Sequence, residues 1–274
     1  MWFKGADEFK DTMGYHLEDG WYPRVTKILE VKNKSGLDQF FKEMESYAAV
    51  QEVKTKSAEE GTRVHEAIQG HMTGTLDTIP DDMIHIVDAF DVFNRKHGII
   101  FHPEFVERRI WSGFHRFAGT VDALASIGDK FGVLDIKTST GFFPEYNLQT
   151  AAYVLALQEF SIKQALGLPR DIETRWVLRI DQNRTCNQCG SKLREKGGRA
   201  KIRPAHRSLG EGENGKNNGF PRCSENNHDW GDTKGEIEIK EFPYFYRDIK
   251  AFLAAKTLWE WEHDYWLKQV GYLK

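Results

Sequence analysis

The sequence predicts an α/β fold in which a small mixed sheet is flanked by helices and one long insertion leaves the sheet. Three observations predict it. Apolar residues recur at helical spacing through Val64, Ile68 and Met72, and again from Asp81 to His97. Two short apolar runs, Gly119 to Ile127 and Phe131 to Ile136, flank a Gly-Asp-Lys turn, and a helix-length segment follows them. Two more strand-like runs, Arg175 to Ile180 and Gly235 to Phe242, enclose a stretch rich in Gly, Asn and charge.

The length of 274 residues allows one large domain carrying an insertion, taken here as residues 1–274 with the insertion at 181–234. Hydrophobic residues make up 40% and aromatics 13%, ample for a core. Apolar runs such as Ala151 to Leu157 are too short to span a bilayer, so no membrane partner is expected. The first residues, Met1-Trp-Phe-Lys-Gly-Ala-Asp-Glu, contain no apolar stretch of signal-peptide type. Three cysteines cannot all pair, and two lie in Cys186-Asn-Gln-Cys189. A reducing, cytoplasmic compartment and a metal site fit this better than a disulfide framework.

In chain order, Met1 to Gly20 is charged and weakly periodic, with room for a short helix. Leu37 to Lys56 alternates apolar and charged residues at helical spacing. Ser57-Ala-Glu-Glu60 has the pattern of a capping box and is expected to open the next helix. Gly61 lies near the start of that helix, where it lets another backbone approach. His65 lies beside the Val64, Ile68 and Met72 stripe and points inward; His71 is left at the surface. Asp81 to His97 is a second amphipathic helix with Ile84, Val87, Phe90 and Phe93 as its stripe. Ile99 to Trp111 is strand-like and carries Glu104 and Glu107. Phe142 to Glu145 is a turn before the helix that bears Gln149 and Tyr153, which share a face at i and i+4. Tyr244 to Leu267 is the last helix; Phe245, Phe252, Trp259 and Trp266 recur at core spacing and are assigned to packing.

The chemistry is concentrated between Phe117 and Tyr153. Asp135 and Lys137 are two apart, so on a strand both side chains leave the same face. Asp122, on the partner strand, meets them across the pair. Two carboxylates and nearby backbone oxygens suit a hard cation such as Mg²⁺ or Mn²⁺. Such an ion, with a lysine beside it, suits hydrolysis of a phosphodiester.

These residues resemble the PD-(D/E)XK nuclease superfamily, and within it the RecB-like branch that includes the CRISPR-adaptation nucleases and many phage exonucleases. The resemblance rests on four elements in order: Gly61-Thr-Arg-Val-His65-Glu-Ala-Ile, Gly119-Thr-Val-Asp122, Asp135-Ile-Lys137 and Gln149-x-x-x-Tyr153. It covers about Tyr22 to Phe160. The family proline before the first acid is absent, and Val121 stands there. Trp21-Tyr-Pro-Arg-Val-Thr-Lys-Ile-Leu29 resembles a segment of phage members, with Arg24 where a small serine is common; a solvated arginine is expected there, contact with a phosphate being the alternative.

The resemblance implies a restriction-endonuclease-like core. It implies Asp122 and Asp135 as metal ligands together with the Ile136 carbonyl, and Lys137 as the residue that positions or activates water. It implies His65 as a further ligand that favours Mn²⁺, and Glu107 as either a ligand or a salt-bridged strand residue, with Glu104 a weaker candidate. Gln149 and Tyr153 are implied to contact the phosphate or to hold Lys137. The expected substrate is DNA and the expected activity exonucleolytic, with a preference for single strands. A nicking or structure-specific endonuclease of recombination or repair, and a non-catalytic DNA-binding module, are the alternatives. No helicase motif is present, so duplex unwinding would come from a helicase or recombination partner.

The insertion carries a second constellation. Cys186-x-x-Cys189 is followed by Cys223-x4-His228, and three thiolates with an imidazole suit tetrahedral zinc. His206 is the rival fourth ligand. An iron–sulfur cluster normally uses four cysteines, and only three exist here. The overall net charge of −3 argues mildly against nucleic acid, but it hides an asymmetry. Between Asn183 and Arg207, Arg184, Lys192, Arg194, Lys196, Arg199, Lys201, Arg203 and Arg207 face one acid, Glu195. That stretch is expected to grip a phosphate backbone without reading sequence.

Overall fold

The computed structural model describes residues 3–32, 41, 44–205, 223 and 227–274. It opens with helix α1 (Ala6–Met13), the hairpin of β1 (Gly14–Leu17) and β2 (Gly20–Pro23), and the short helix α2 (Val25–Ile28). The long helix α3 (Tyr47–Thr73) and helix α4 (Ile84–His97) lead to β3 (Ile99–Phe101). Strands β4 (Arg108–Ser112), β5 (Phe117–Val121), β6 (Ala123–Ile127) and β7 (Lys130–Lys137) follow, then α5 (Pro144–Leu157) and α6 (Phe160–Leu166). Strands β8 (Thr174–Cys186), β9 (Lys192–Lys196), β10 (Arg199–Arg203) and β11 (Trp230–Glu241) come next. Helices α7 (Tyr246–Glu262) and α8 (Asp264–Gln269) close the chain.

A mixed seven-stranded sheet is the frame, in the order β10-β9-β8-β7-β6-β3 with β11 also on β8. Strands β7 and β8 are parallel and the other pairs antiparallel. The alternation of side chains sends Leu124, Phe131 and Val133 to one face, where they pack with Tyr153, Phe252 and Trp259. Ala125, Leu134, Ile136 and Leu178 go to the other face, against Val64, Ile68, Ile86 and Phe90. Helices therefore cover both faces. Burying a side chain such as Ile68 or Phe90 contributes about 1.5–3 kcal/mol before entropy is counted.

The local chemistry alters several expected boundaries. Helix α3 starts at Tyr47, not Ser57: Ser46 is its cap, accepting from the Ala49 N–H at 3.1 Å. No Gly or Pro interrupts Tyr47 to Glu60, so the Ser57 pattern lies inside one continuous helix. The first part of the expected helix from Leu37 falls on residues 37–40, 42 and 43, outside the described residues. In α4 the buried side chains are Ile86, Val87 and Phe90, whereas Ile84 is exposed. The strand expected over Ile99 to Trp111 is broken, because Pro103 opens a turn of 3-10 helix that ends at Phe105. Helix α5 begins inside the expected turn, with Pro144 at its first position.

Two corrections bear on function. The run Gly119 to Ile127 is two strands in different sheets: β5 pairs with β4, while β6 pairs with β7 and β3. Asp122 occupies the break between them. The insertion is also not a bare loop. Antiparallel pairing of β8 with β11 runs on to Cys186 and Trp230, and the β9–β10 hairpin extends the sheet. Since β11 holds one edge of β8, β9 pairs along the edge that β7 leaves after Lys137. Strands β7 and β9 thus point toward each other, end to end.

Among the described residues, no helix is long and apolar enough to cross a membrane.

Candidate active site and metal centre

Asp122, at the β5–β6 break, turns its carboxylate toward the end of β7. Its Oδ2 accepts from the Ile136 N–H at 2.6 Å, and its Oδ1 lies 3.9 Å from Nδ1 of His65. The same break lets the Asp122 carbonyl accept from the Glu107 N–H at 3.1 Å. Glu107 adopts φ 50°, a left-handed conformation that a non-glycine residue keeps only where its surroundings enforce it. One ligand atom each from His65, Glu107 and Asp122 all lie within 4.8 Å of one another. The Ile136 carbonyl faces the His65 ring. An open cleft of about 530 Å³ meets this group and is lined by Gly61, Gln69 and Thr138 as well.

Helix α3 supplies one wall because its residues 61, 65 and 69 share a face. A methyl group on Gly61 would stand 2.8 Å from Thr138 Oγ1, so glycine allows the helix to close on the end of β7. Gln69 donates from Nε2 to the Glu107 carboxylate.

Asp135 lies deeper, its side chain 1% exposed. Lys137 Nζ stands 2.6 Å from its Oδ2, as the shared strand face requires. That contact lacks the alignment of a hydrogen bond, so Oδ2 retains an open acceptor direction. Oδ1 accepts from Gln149 Nε2 at 3.1 Å, and Gln149 also donates to the Tyr153 hydroxyl at 2.9 Å. Gln149 therefore holds Asp135 directly and Lys137 only through it. Tyr153 is buried, and its ring lies where a Cβ on Gly119 would come within 2.5 Å of Cε1. It touches the site through Gln149. The Lys137 ammonium lies 5.3 Å from the centre of the Tyr146 ring.

Burial raises both carboxyls, Asp122 to about 6 and Asp135 to about 6, with Lys137 opposing the rise in each. For Lys137 burial acts downward, but Asp135 and Asp122 outweigh it and the ammonium is held above its usual range. Burial, and then Lys137, hold His65 below the ordinary imidazole value. A neutral ring with a free lone pair results, the form that can ligate a metal.

The donor set and the open acceptor on Asp135 fit a divalent cation at this end of the sheet. Asp135 itself is not one of the three clustered ligand residues: Gln149 holds its Oδ1, and Lys137 stands beside Oδ2. Glu104 is exposed and near His102, at 3.8 Å, and does not join the group. His71 is half-buried rather than free at the surface, with Nε2 2.7 Å from Asp91. Arg24 is not simply solvated: its guanidinium donates to the Gly14 and Asp11 carbonyls at 3.1 and 2.9 Å.

The second constellation is at the far end of β8. Cys186, Cys189, Cys223 and His228 each offer one atom, all within 4.8 Å of one another. Cys186 Sγ and Cys223 Sγ are 3.8 Å apart, and Cys189 Sγ is 3.4 Å from His228 Nδ1. Tetrahedral zinc, with bonds of about 2.3 Å to sulfur and about 2.0 Å to nitrogen, requires separations of about 3.8 and about 3.5 Å. A turn at Gly190, φ 70°, folds the chain back so that the Gly190 N–H reaches the Cys186 carbonyl at 2.9 Å. Burial pushes the Cys186 thiol up, but the backbone of Cys189 and Gln188 outweighs it and brings the group down to about 7. This Cys₃His cluster can hold a metal such as zinc. His206 lies outside the described residues.

Among the described residues of the insertion, four basic side chains have partners within the protein. Arg184 donates to the Gly231 carbonyl at 3.0 Å, and Lys192 pairs with Glu236 at 3.2 Å. Arg194 pairs with Asp181 at 2.7 Å, and Lys196 donates to Thr138 Oγ1 at 2.9 Å. Pairing in the sheet brings these four cations beside acids and carbonyls of β8, β11 and the β7 end. Arg199, Lys201 and Arg203 lie on the outer strand β10, where Lys201 and Arg203 are exposed. Reasoning from sequence missed Gln69, Thr138 and the inward role of Lys196. Gln69 was within reach, since it follows His65 by one helical turn; the other two depend on the end-to-end meeting of β7 and β9.

No family model matches the chain, and no curated protein matches it.

Proposed function

We propose that this protein is a divalent-metal-dependent DNA nuclease that hydrolyses phosphodiester bonds from DNA ends in the cytoplasm. The core is read as restriction-endonuclease-like, of the PD-(D/E)XK superfamily and its RecB-like branch. The observation that carries the reading is the meeting of His65, Glu107 and Asp122 within 4.8 Å, beside the Asp135–Lys137 pair. An open cleft leads to them, as a polymeric substrate requires.

Asp122, Glu107 and His65 would hold Mg²⁺ or Mn²⁺, with Asp135 and the Ile136 carbonyl completing the oxygen-rich side. The ion, when bound, neutralises charge on a phosphate oxygen and lowers the pKa of water. The rest is done by the chain. Lys137, kept charged by Asp135 and Asp122, orients the attacking water and stabilises the negative charge that develops on the phosphate. Gln149 fixes the Asp135 carboxylate, and Tyr153 fixes Gln149. Lys201 and Arg203, exposed on β10, would meet a phosphate backbone. A helicase or recombination protein would supply strand separation.

The test is digestion of end-labelled linear DNA and closed circular single strands with Mn²⁺. Linear single strands are expected to be degraded and circles spared. Equal cutting of circles replaces the end-dependent reading with the endonuclease; no cutting of either leaves a DNA-binding module.

A further inference from the structure

The insertion touches the candidate site at one point. Strand β9 ends at Lys196, which meets the end of β7 because the two strands share an edge of β8. The Lys196 ammonium donates to both the carbonyl and the hydroxyl of Thr138, the residue after Lys137. The next residue, Gly197, donates its N–H to the Glu60 carboxylate at 3.1 and 3.0 Å. Gly197 takes φ +62°, and a Cβ there would lie 2.7 Å from the Val53 carbonyl, so only glycine lets the hairpin seat on α3. Glu60 precedes Gly61, which itself packs on Thr138, and His65 follows one turn later. Three contacts thus close a triangle among the hairpin tip, helix α3 and the end of β7.

We propose that Lys196 is a positioning residue: by holding Thr138, while Gly197 holds Glu60, it sets helix α3 and the end of β7 at the separation that brings His65, Glu107 and Asp122 together. The Cys₃His cluster lies at the opposite end of β9 and fixes the root of the hairpin. The metal-stapled insertion is then a brace for the site, not chiefly a grip on substrate. Burial, and then Arg194, push the Lys196 ammonium down to about 8, which fits a lysine directed into the protein. The proposal rests on the nuclease reading only for its kinetic consequence.

The experiment compares wild-type protein with Lys196→Met and Lys196→Arg. Zinc content and circular dichroism establish that the fold is kept. Mn²⁺ affinity is read by electron paramagnetic resonance, and amide exchange over residues 137–141 by mass spectrometry. Lys196→Met is expected to retain zinc, to weaken Mn²⁺ binding about tenfold and to speed exchange in that segment; Lys196→Arg restores part of both. In cleavage assays kcat falls about tenfold with KM unchanged. Wild-type exchange and Mn²⁺ affinity in Lys196→Met overturn the proposal. If that variant loses zinc or unfolds, Glu60→Ala decides, since it releases Gly197 and leaves the insertion unaltered: faster exchange at residues 137–141 supports the brace, and unchanged exchange overturns it. Wild-type protein that neither binds Mn²⁺ nor cuts DNA removes the nuclease reading, and the exchange measurement then decides the brace alone.

Discussion

Gln149 donates a hydrogen bond to Asp135 across 3.1 Å, from a helix on one face of the sheet to a buried carboxylate on β7. The bond leaves the other oxygen of Asp135 to Lys137, at 2.6 Å. One amide therefore fixes the orientation of an acid and, through it, of an ammonium.

That relationship ranks three substitutions. Asp135→Asn and Lys137→Ala are expected to reduce DNA cleavage below detection while circular dichroism and solubility stay normal. Gln149→Ala keeps both charges and loses only their alignment, so it is expected to cost about 10- to 100-fold. Single-turnover cleavage of a labelled single strand measures all three. Wild-type rates in Asp135→Asn would sink the assignment.

The Cys₃His geometry leads to a stoichiometric expectation. Protein purified without chelator is expected to carry about one zinc per chain. Cys189→Ser is expected to lose the zinc and to melt at a lower temperature. Elemental analysis gives the answer, and zinc-free wild type, or visible iron–sulfur absorption, refutes the site.

His65 is expected to set metal choice. Its neutral ring adds a nitrogen donor to an oxygen set, which shifts preference from Mg²⁺ toward Mn²⁺. Wild-type activity in Mn²⁺ is expected to equal or exceed that in Mg²⁺, and His65→Ala is expected to lower the Mn²⁺-to-Mg²⁺ ratio. An unchanged ratio, with unchanged activity, shows that His65 is not a ligand.

The two acids, Asp135 buried and Asp122 largely so, predict an unusual pH response. Asp122 and Asp135 titrate near about 6 in the folded chain, raised chiefly by burial from an ordinary value of 3.8. Between those values the folded chain binds more protons than the unfolded one, so their contribution to stability is full below the ordinary value and is lost as pH rises through about 6. Without added Mg²⁺ or Mn²⁺, the melting temperature is expected to rise by several degrees on going from about pH 7.5 to about pH 5.5. Added Mn²⁺ at the higher pH is expected to recover the loss. A melting temperature that falls steadily with acid, unaffected by Mn²⁺, contradicts the burial of these two charges.

The sequence by itself determined the pieces whose rules are local. Alternation on β7 put Asp135 and Lys137 on one face, and helical spacing put Gln149 and Tyr153 on another element at i and i+4. The spacing of Cys186, Cys189, Cys223 and His228 marked a ligand set that the fold brings together. Apolar periodicity located both faces of the core. Only the tertiary structure decided the relations between pieces far apart in sequence. It broke the run from Gly119 to Ile127 at Asp122, because the two halves pair with different strands, and a pattern of alternation does not record its partner. It ran α3 through Ser57, since a capping pattern competes with a continuous helix whose stability comes from packing. It gave Arg184, Lys192, Arg194 and Lys196 partners within the protein, because the acids and carbonyls that meet them arrive from β8, β11 and the end of β7. Charge counted along a chain gives the sign of a segment; which way each charge faces is fixed by the strand that comes to lie beside it.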